Sequence, residues 1–403
     1  SGLAVPDLRI AIQTEQRGTA DAVRSALPVL PELTTTGGKV LILYGDTPLL
    51  TVERLQELLV KTTGKLGMLA TTLADPHGYG RLIRQDGRAQ RIVEHKDCTP
   101  EQLAVCEVNA GIYAVDAQFL VESLAQVQSH NAQREFYLTD LVAMAASAGE
   151  LVTVISAPSD EVMGVNDRVD LGTAEAIARA RICKAHMLAG VTLHDPATTR
   201  IEHGVEIGRD CEIFGGVSLR GKTRIGEGCV IDQGCVLTDV IVESGAHCKP
   251  YTIAASSHIG PRCQVGPFSH LRPDTRLLEE SHVGNFVELK KTELGRKSKA
   301  NHLAYLGDST IGAEVNIGCG TITCNYDGFA KHQTIIEDGV FIGSDSQLVA
   351  PVRIGKGAIV AAGTTVTRDV PAGALTVSRV PQQDKLEAAD KLRARFKARK
   401  ART

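Results

Sequence analysis

The sequence predicts two fold classes in one chain: an α/β domain over residues 1–170, then a parallel β-helix. Three observations carry this. Apolar residues recur every six positions between Ile201 and Val366. Before that, short apolar runs alternate with helical stretches, the pattern of a sheet flanked by helices. Aromatic residues make up only 4 % of the 403, and Trp is absent. That suits a narrow interior filled by aliphatic and small side chains.

In chain order, Ala20 to Leu27 reads as a short helix. Val40-Leu41-Ile42-Leu43-Tyr44 is a continuous apolar run ending at Gly45-Asp46, the signature of a buried parallel strand with an acid at its carboxyl end. Ligands of open α/β sheets bind beyond such ends, which makes Asp46 a metal-ligand candidate beside the plainer reading of a turn or capping Asp. Thr51 is an N-cap candidate for a helix from Val52 to Lys61. Gly67 to Leu73 and Glu107 to Tyr113 read as strands, and a Gly-rich turn, Asp75-Pro76-His77-Gly78-Tyr79-Gly80-Arg81, lies between them. Helices are expected over Ala117–Gln128 and Tyr137–Ala148, with a strand over Val152–Ile155. Leu171 to Leu188, closed by Gly190, is expected to be a helix linking the two halves.

The hexad register runs through Ile201, Ile207, Ile213, Leu219, Ile225, Ile231 and Leu237. It breaks and resumes at Ile253, continuing with Ile259, Val265, Leu271, Leu277, Val283 and Leu289. Shorter runs follow: Leu294, Ala300, Leu306; Ile311, Ile317, Thr323; then Ile342 to Val366. A period of six fits neither a free helix nor a simple strand. It fits a chain that makes one flat face per hexad and turns a corner, with coils stacked at ~4.8 Å. Leu289 to Leu294 and Leu306 to Ile311 are one residue short, and the segment CNYDGFAKHQ is inserted after Thr323. Solenoid insertions often build the binding face. Polar residues gather at these breaks.

The formal net charge of −3 gives no case for nucleic acid or an anionic membrane surface. No run of 18 apolar residues offers a membrane span, and no signal peptide is evident. Of ten Cys, none forms a CxxC pair. Cys211, Cys229, Cys235 and Cys263 each sit four residues after a repeat aliphatic, so they read as small inward-facing residues. Cys211 and Cys229 are one coil apart and expected to be unpaired. From Lys385 onward the chain is basic and is expected to be a solvated, partly helical tail over 381–403. A sharper reading makes it an arm meeting a phosphate-bearing ligand at a subunit junction.

Several motifs together carry a resemblance that covers nearly the whole chain. In the first half they are Gln13-Thr14-Glu15-Gln16-Arg17-Gly18-Thr19-Ala20, Leu43-Tyr44-Gly45-Asp46, Gly78-Tyr79-Gly80-Arg81, Val93-Glu94-His95-Lys96-Asp97, Glu107-Val108-Asn109-Ala110-Gly111 and Gly164-Val165-Asn166. In the second they are Leu271-Arg272-Pro273, Gly284-Asn285-Phe286-Val287-Glu288-Leu289-Lys290-Lys291, His302-Leu303-Ala304-Tyr305-Leu306-Gly307-Asp308 and the stretch from Gly320 to Gly328. The chain resembles the bacterial bifunctional N-acetylglucosamine-1-phosphate uridylyltransferases / glucosamine-1-phosphate acetyltransferases. The resemblance implies a Rossmann-like nucleotidyltransferase domain, a left-handed β-helix over 191–380 joined by a linker over 171–190, a homotrimer and a cytoplasmic location.

For the second half the resemblance implies acetyl transfer from acetyl-CoA to the amine of glucosamine-1-phosphate. His302 is the expected general base, with Glu288 orienting it and Asn325 near the reacting carbonyl. Arg272, Lys290 and Lys331 are expected at the sugar phosphate, with Tyr305 and Asn316 at the sugar. Asn325, Tyr326, Ser344, Ala362 and Arg379 are expected along the acetyl-CoA channel. For the first half it implies uridylyl transfer from UTP to N-acetylglucosamine-1-phosphate. Asp46 and Asn166 are expected to hold Mg²⁺. Gln13, Gly18, Thr19, Tyr44, Gly45, Asp46, Gly80, Glu94, Asn109 and Asn166 are expected around the nucleotide and sugar. No G-x-G loop followed by Lys or Arg lies before Gln13. These 403 residues are therefore expected to acetylate well and to transfer uridylyl groups poorly. Rival readings are an acetyltransferase with a non-catalytic first domain, and a binding subunit whose solenoid serves assembly. The latter leaves His302, Arg272, Lys290 and the inserted loop without a role.

Overall fold

The computed structural model describes residues 8–34 and 37–401. The chain divides into two compact units, Ser1–Ala178 and Arg179–Thr403. The expectation of a missing loop before Gln13 concerns residues that lie in part outside the described ones.

The first unit is a sheet with helices: α1 (Thr19–Ala26), β1 (Lys39–Ile42), α2 (Val52–Lys61), β2 (Leu66–Thr72), β3 (Arg81–Gln85), β4 (Arg88–Val93), α3 (Pro100–Leu103), β5 (Glu107–Asp116), α4 (Ala117–Gln126), α5 (Asp140–Ser147) and β6 (Thr153–Ser156). The strand order is β4-β3-β5-β2-β6, with β1 also beside β5. Residues along β5 alternate between two cores, as a pleated strand requires. Tyr113 and Val115 join Met68, Leu120 and Leu141, whereas Ala110, Ile112 and Ala114 join Leu58, Leu69 and Ile155. The Thr51 cap holds as expected, its side chain accepting from Arg54 N–H.

One strand differs from expectation. The run Val40–Tyr44 was expected as a buried parallel strand. Instead Lys39–Ile42 pairs antiparallel with the second half of β5, Ile42 opposite Tyr113. It lies at an edge of the sheet and is only half-buried. The sheet is mixed, β2 and β6 forming a parallel pair. Continuous apolarity reported burial, but an edge place supplies neighbours on one side only.

Helix α6 (Arg168–Leu188) spans the division between the units. The second unit is a parallel β-helix of about ten coils. Its core is one continuous stack of aliphatic and small residues from Val191 to Val370. Each hexad points two residues inward. One is the repeat aliphatic, such as Ile213, Leu271 or Leu306, all fully buried. The other, four residues later, is small. Thr223, Thr252 and Thr275 at this place donate to backbone carbonyls of the next coil, such as Leu237 O, Val265 O and Leu289 O. Cys211 and Cys229 do the same toward Gly226 and Glu243. All ten cysteines are free. Where Gly follows the aliphatic, coils meet closely: a Cβ on Gly226 would stand 2.7 Å from Ser244 N.

The register needs one correction. Ile253 is 48 % exposed, and the inward residue is Ala254, paired with Leu237. Val242 and Cys248 fill the interval that looked like a break. The coil here takes five-residue steps, Leu237 to Val242 and Ala254 to Ile259, at the tight corners of Asp239 and Ser256, both with φ in the left-handed region.

The three corners differ chemically. The first carries Tyr251, Phe268, Phe286 and Leu303, with ring stacks of 5.2 and 5.6 Å and all four side chains largely exposed. The second carries Ser256, Asp274, Lys291 and Asp308. The third carries an ion ladder in which Glu280 meets Arg262 at 3.0 Å and Lys297 at 3.6 Å. Among the described residues no helix is long and apolar enough to cross a membrane. The basic tail forms α7 (Ala388–Lys400), exposed along its length.

Candidate functional sites

In the first unit, a cavity of about 350 Å³ opens at one end of the sheet, lined by Tyr44, Asp46, His77, Tyr79, Asn109 and Asn166 among others. Asp46 and Asn166 face each other across Gly164: a Cβ there would stand 3.6 Å from Asp46 Oδ2 and 3.9 Å from Asn166 Nδ2. The Val165 N–H donates to Asp46 O at 2.8 Å and fixes this approach. Two oxygen-bearing side chains suit a hard divalent cation that keeps water and substrate phosphates as its other ligands. The described residues hold no cluster of three or more His, Cys, Asp or Glu fit for a metal.

The other expected residues frame this cavity. Gly111 has φ +74 and lies against the Tyr44 ring, where a Cβ would come within 2.1 Å. Burial, with Glu94 and Asp46 nearby, pushes the Tyr44 hydroxyl up to about 12. Burial also raises Glu94, despite its bond from Thr139 Oγ1 at 3.1 Å. Gly80 leaves room for Glu94, whose carboxylate lies 3.2 Å from the place of a Cβ. Gln13, Gly18 and Thr19 gather at the start of α1. Gln13 Nε2 donates to Gly18 O and to Asp21 Oδ2, while Thr19 Oγ1 accepts from Leu138 N–H. The Gln13 bond is the largest reason that buried Asp21 stays below the usual carboxylate range. Gly45 is exposed beside Asp46.

In the second unit the expected residues fall into two sets, on opposite sides of one face. The clamp set stands at the second corner and the face leading to it. Arg272 Nη1 donates to Glu288 Oε1 at 2.8 Å. Contact with Lys331, then burial and the nearby Arg272, hold the Lys290 ammonium below the ordinary lysine range. Three cations therefore converge. Asn325 is 7 % exposed and donates to Asp308 Oδ2 at 2.5 Å. Tyr305 Oη and Asn325 Nδ2 both crowd Gly307, at 2.6 and 2.7 Å from the place of a Cβ. The inserted loop folds on Asp327, which accepts from Phe329 and Ala330 N–H and from His332, and so lies far below the usual carboxylate range. Its Tyr326 is exposed and donates to Gly328 O.

The base set stands beside the first, aromatic corner. His302 immediately precedes Leu303, and Asn316 lies on the face that ends there. Ser344 and Ala362 occupy equivalent places on later coils, just before Asp345 and Gly363. Arg379 Nη1 donates to Ala362 O at 2.8 Å.

One expectation is not met. Glu288 does not orient His302 within the chain; it is held by Arg272 beyond the corner. The partner of His302 Nδ1 is Asn285 Oδ1 at 3.1 Å. Phe286 and Leu303 turn the chain between Asn285–His302 and Glu288–Tyr305, which is why the nearer-looking Glu cannot reach. Asn285, Asp308, Asp21 and Thr139 were not singled out from sequence. The signal for two of them was coil length: Asn285 lies 17 residues before His302, and Asp308 lies 17 before Asn325. A larger groove of about 610 Å³, lined by Glu206, Arg224 and Glu243 among others, holds none of the expected residues.

Known proteins match both halves. The family described as bacterial transferase hexapeptide (six repeats) matches residues 333–368. A protein named bifunctional protein GlmU, from Sorangium cellulosum, is 51 % identical over 395 residues, 97 % of this chain and 82 % of that one. Its namesake from an Anaeromyxobacter species is 53 % identical over 380 residues, 94 % of this chain and 77 % of the relative. One from a Geobacillus species is 46 % identical over 387 residues, 95 % and 83 % respectively.

Proposed function

Because the chain belongs to the family of bifunctional GlmU proteins, enzymes that transfer both acetyl and uridylyl groups, we propose a residue-level assignment of both reactions. The second unit, residues 191–380, carries acetyl transfer to glucosamine-1-phosphate. The first, residues 1–170, carries uridylyl transfer to N-acetylglucosamine-1-phosphate. The single observation behind the acetyl assignment is the convergence of Arg272, Lys290 and Lys331. Positive side chains gathered in this way suit a sugar phosphate, which an arginine meets as a fork and a lysine as a point charge.

The substrate amine attacks the thioester carbonyl carbon of acetyl-CoA. The nitrogen–carbon bond forms, the carbon–sulfur bond breaks, and the amine proton passes to His302 and then to the departing thiolate. Asn285 Oδ1 accepts from His302 Nδ1–H, which leaves Nε2 with its lone pair free for that proton. Tyr305 and Asn316 hold the sugar. Asn325, Tyr326, Ser344, Ala362 and Arg379 line the path of the coenzyme. Arg272 is kept aimed by Glu288, which acts on the clamp and not on the base.

In the first unit, a sugar-phosphate oxygen attacks the α-phosphorus of UTP and pyrophosphate leaves. Asp46 and Asn166 would hold Mg²⁺, which supplies charge neutralisation at the transferred phosphoryl group. Gln13, Gly18 and Thr19 hold the uridine end, while Gly80, Glu94 and Asn109 hold the sugar. We place the enzyme in the cytoplasm.

The clamp set and the base set lie at different corners of one prism, and the exposed ladder of Tyr251, Phe268, Phe286 and Leu303 runs between them. Packing that ladder against further copies supports a homotrimer in which one copy's clamp faces another's base. The test is complementation. Chains carrying His302→Ala and chains carrying Lys331→Ala, each nearly inactive alone, are unfolded, mixed and reassembled. A composite site predicts recovery of acetyl transfer in the mixture. Activity no greater than the sum of the two variants would refute it.

A further inference from the structure

Arg81 opens β3 immediately after Gly78-Tyr79-Gly80, and it is 2 % exposed. Buried arginines are ordinarily paired with a carboxylate. Among the described residues Arg81 has no such partner. Its Nη1 donates to Tyr79 O, its Nη2 meets His95 Nδ1 at 3.5 Å, and its Nε is buried with no hydrogen-bond partner. The His95 ring packs edge-on against His77, with centroids 4.5 Å apart. His77 and Tyr79 both line the cavity that holds Asp46 and Asn166. The far end of the turn is tied by His77 N–H donating to Asp75 Oδ1 at 3.1 Å. Burial, with His77 and Arg81 nearby, lowers the His95 pKa, which favours the neutral ring that can accept from the guanidinium.

We propose that Arg81 is a positioning residue for the nucleotide-sugar cavity: its guanidinium joins the Tyr79 carbonyl to the His95–His77 ring pair and so fixes the turn that forms one cavity wall. The proposal rests on reading the first unit as the uridylyl-transfer site. Arg81 touches no reacting atom.

The test compares Arg81→Met and Arg81→Lys with the unmodified full chain. Binding of UDP-N-acetylglucosamine is measured by calorimetry. Steady-state uridylyl transfer is followed by pyrophosphate release, and the His77 and His95 ring signals by NMR. Losing a charged hydrogen bond that shapes the wall should weaken binding and raise KM about tenfold in Arg81→Met. Its kcat should stay within about threefold, because the residues at the phosphoryl group are intact. The His95 and His77 signals should shift. Arg81→Lys, which keeps the charge without the fork, should fall between. Acetyl transfer by the same preparations should be unchanged. Unaltered binding and unshifted histidine signals in Arg81→Met would overturn the positioning role while leaving the site reading intact. Loss of kcat with KM unmoved would also overturn it. No binding by the unmodified chain would sink the site reading itself, and the proposal with it. If Arg81→Met does not fold, Arg81→Lys decides: full affinity with unshifted rings counts against us.

Discussion

A close approach between coils gives a sharp prediction. A Cβ on Gly343 would stand 2.5 Å from Ala362 N, 2.8 Å from Val360 O and 2.9 Å from Ala361 C. All three are backbone atoms, so no side chain can swing aside. Restoring an ordinary contact of 3.4 Å requires the coils to part locally by about 0.9 Å. The Gly343 N–H to Val360 O bond, now 2.8 Å, would then be lost. Overpacking of this kind costs about 1–3 kcal/mol, and the hydrogen bond adds about 1. Gly343→Ala should therefore destabilise the second unit by about 2–4 kcal/mol. Gly339→Ala is the contrast. Its φ is +67 and nothing lies within 4 Å of the new methyl. The left-handed backbone alone should cost about 1 kcal/mol. At about 2–4 °C per kcal/mol for a unit of this size, calorimetric melts should fall by about 4–16 °C and about 2–4 °C. Because Ser344 and Ala362 flank the parted coils, Gly343→Ala should also raise KM for acetyl-CoA. If Gly339→Ala melts lower than Gly343→Ala, or if neither moves, the argument from coil contact is wrong.

Two further outcomes follow from the site. His302→Ala should lose about 10²–10⁴-fold in acetyl-transfer kcat with little change in KM for glucosamine-1-phosphate; near-full kcat with an unchanged pH profile would remove His302 from the mechanism. The Lys331 ammonium holds Lys290 below the usual lysine range, so binding of glucosamine-1-phosphate should weaken as pH rises through that lowered value, earlier than for an isolated lysine. Lys331→Met should bind more weakly at neutral pH yet move the alkaline fall to higher pH, and a fall that stays in place would show that the two ammoniums do not interact.

The β-helix was legible because six-residue spacing has few causes. What the spacing could not show was a coil carried by small residues. Cys248 and Ala254 are inward, but neither stands out in a search for aliphatics. Ile253, which does, faces solvent. In the first unit the apolar run at Leu41 disclosed a strand but not its direction, because direction depends on a partner some 70 residues away. The site residues were legible through motifs as a set, whereas their partners were not. Glu288 stands near His302 in motif order, yet a corner divides them. Asn285 is the partner because stacking joins residues one coil apart.

That stacking turns the chain into a phased object, in which position along the sequence modulo one coil decides the direction each side chain faces. A residue gained or lost at a corner is absorbed there, as the steps from Leu289 to Leu294 and from Leu306 to Ile311 show, all four residues remaining inward. Six extra residues are different. They would leave every hexad intact, keep the core aliphatic, and carry all later side chains round by one third of a turn. Eighteen would preserve direction and merely lift them by ~4.8 Å. The alignment of Asn285, His302, Ser344 and Ala362 along one edge is therefore a property of the summed lengths of the coils between them, and changes in length reach the chemistry without touching any residue that performs it.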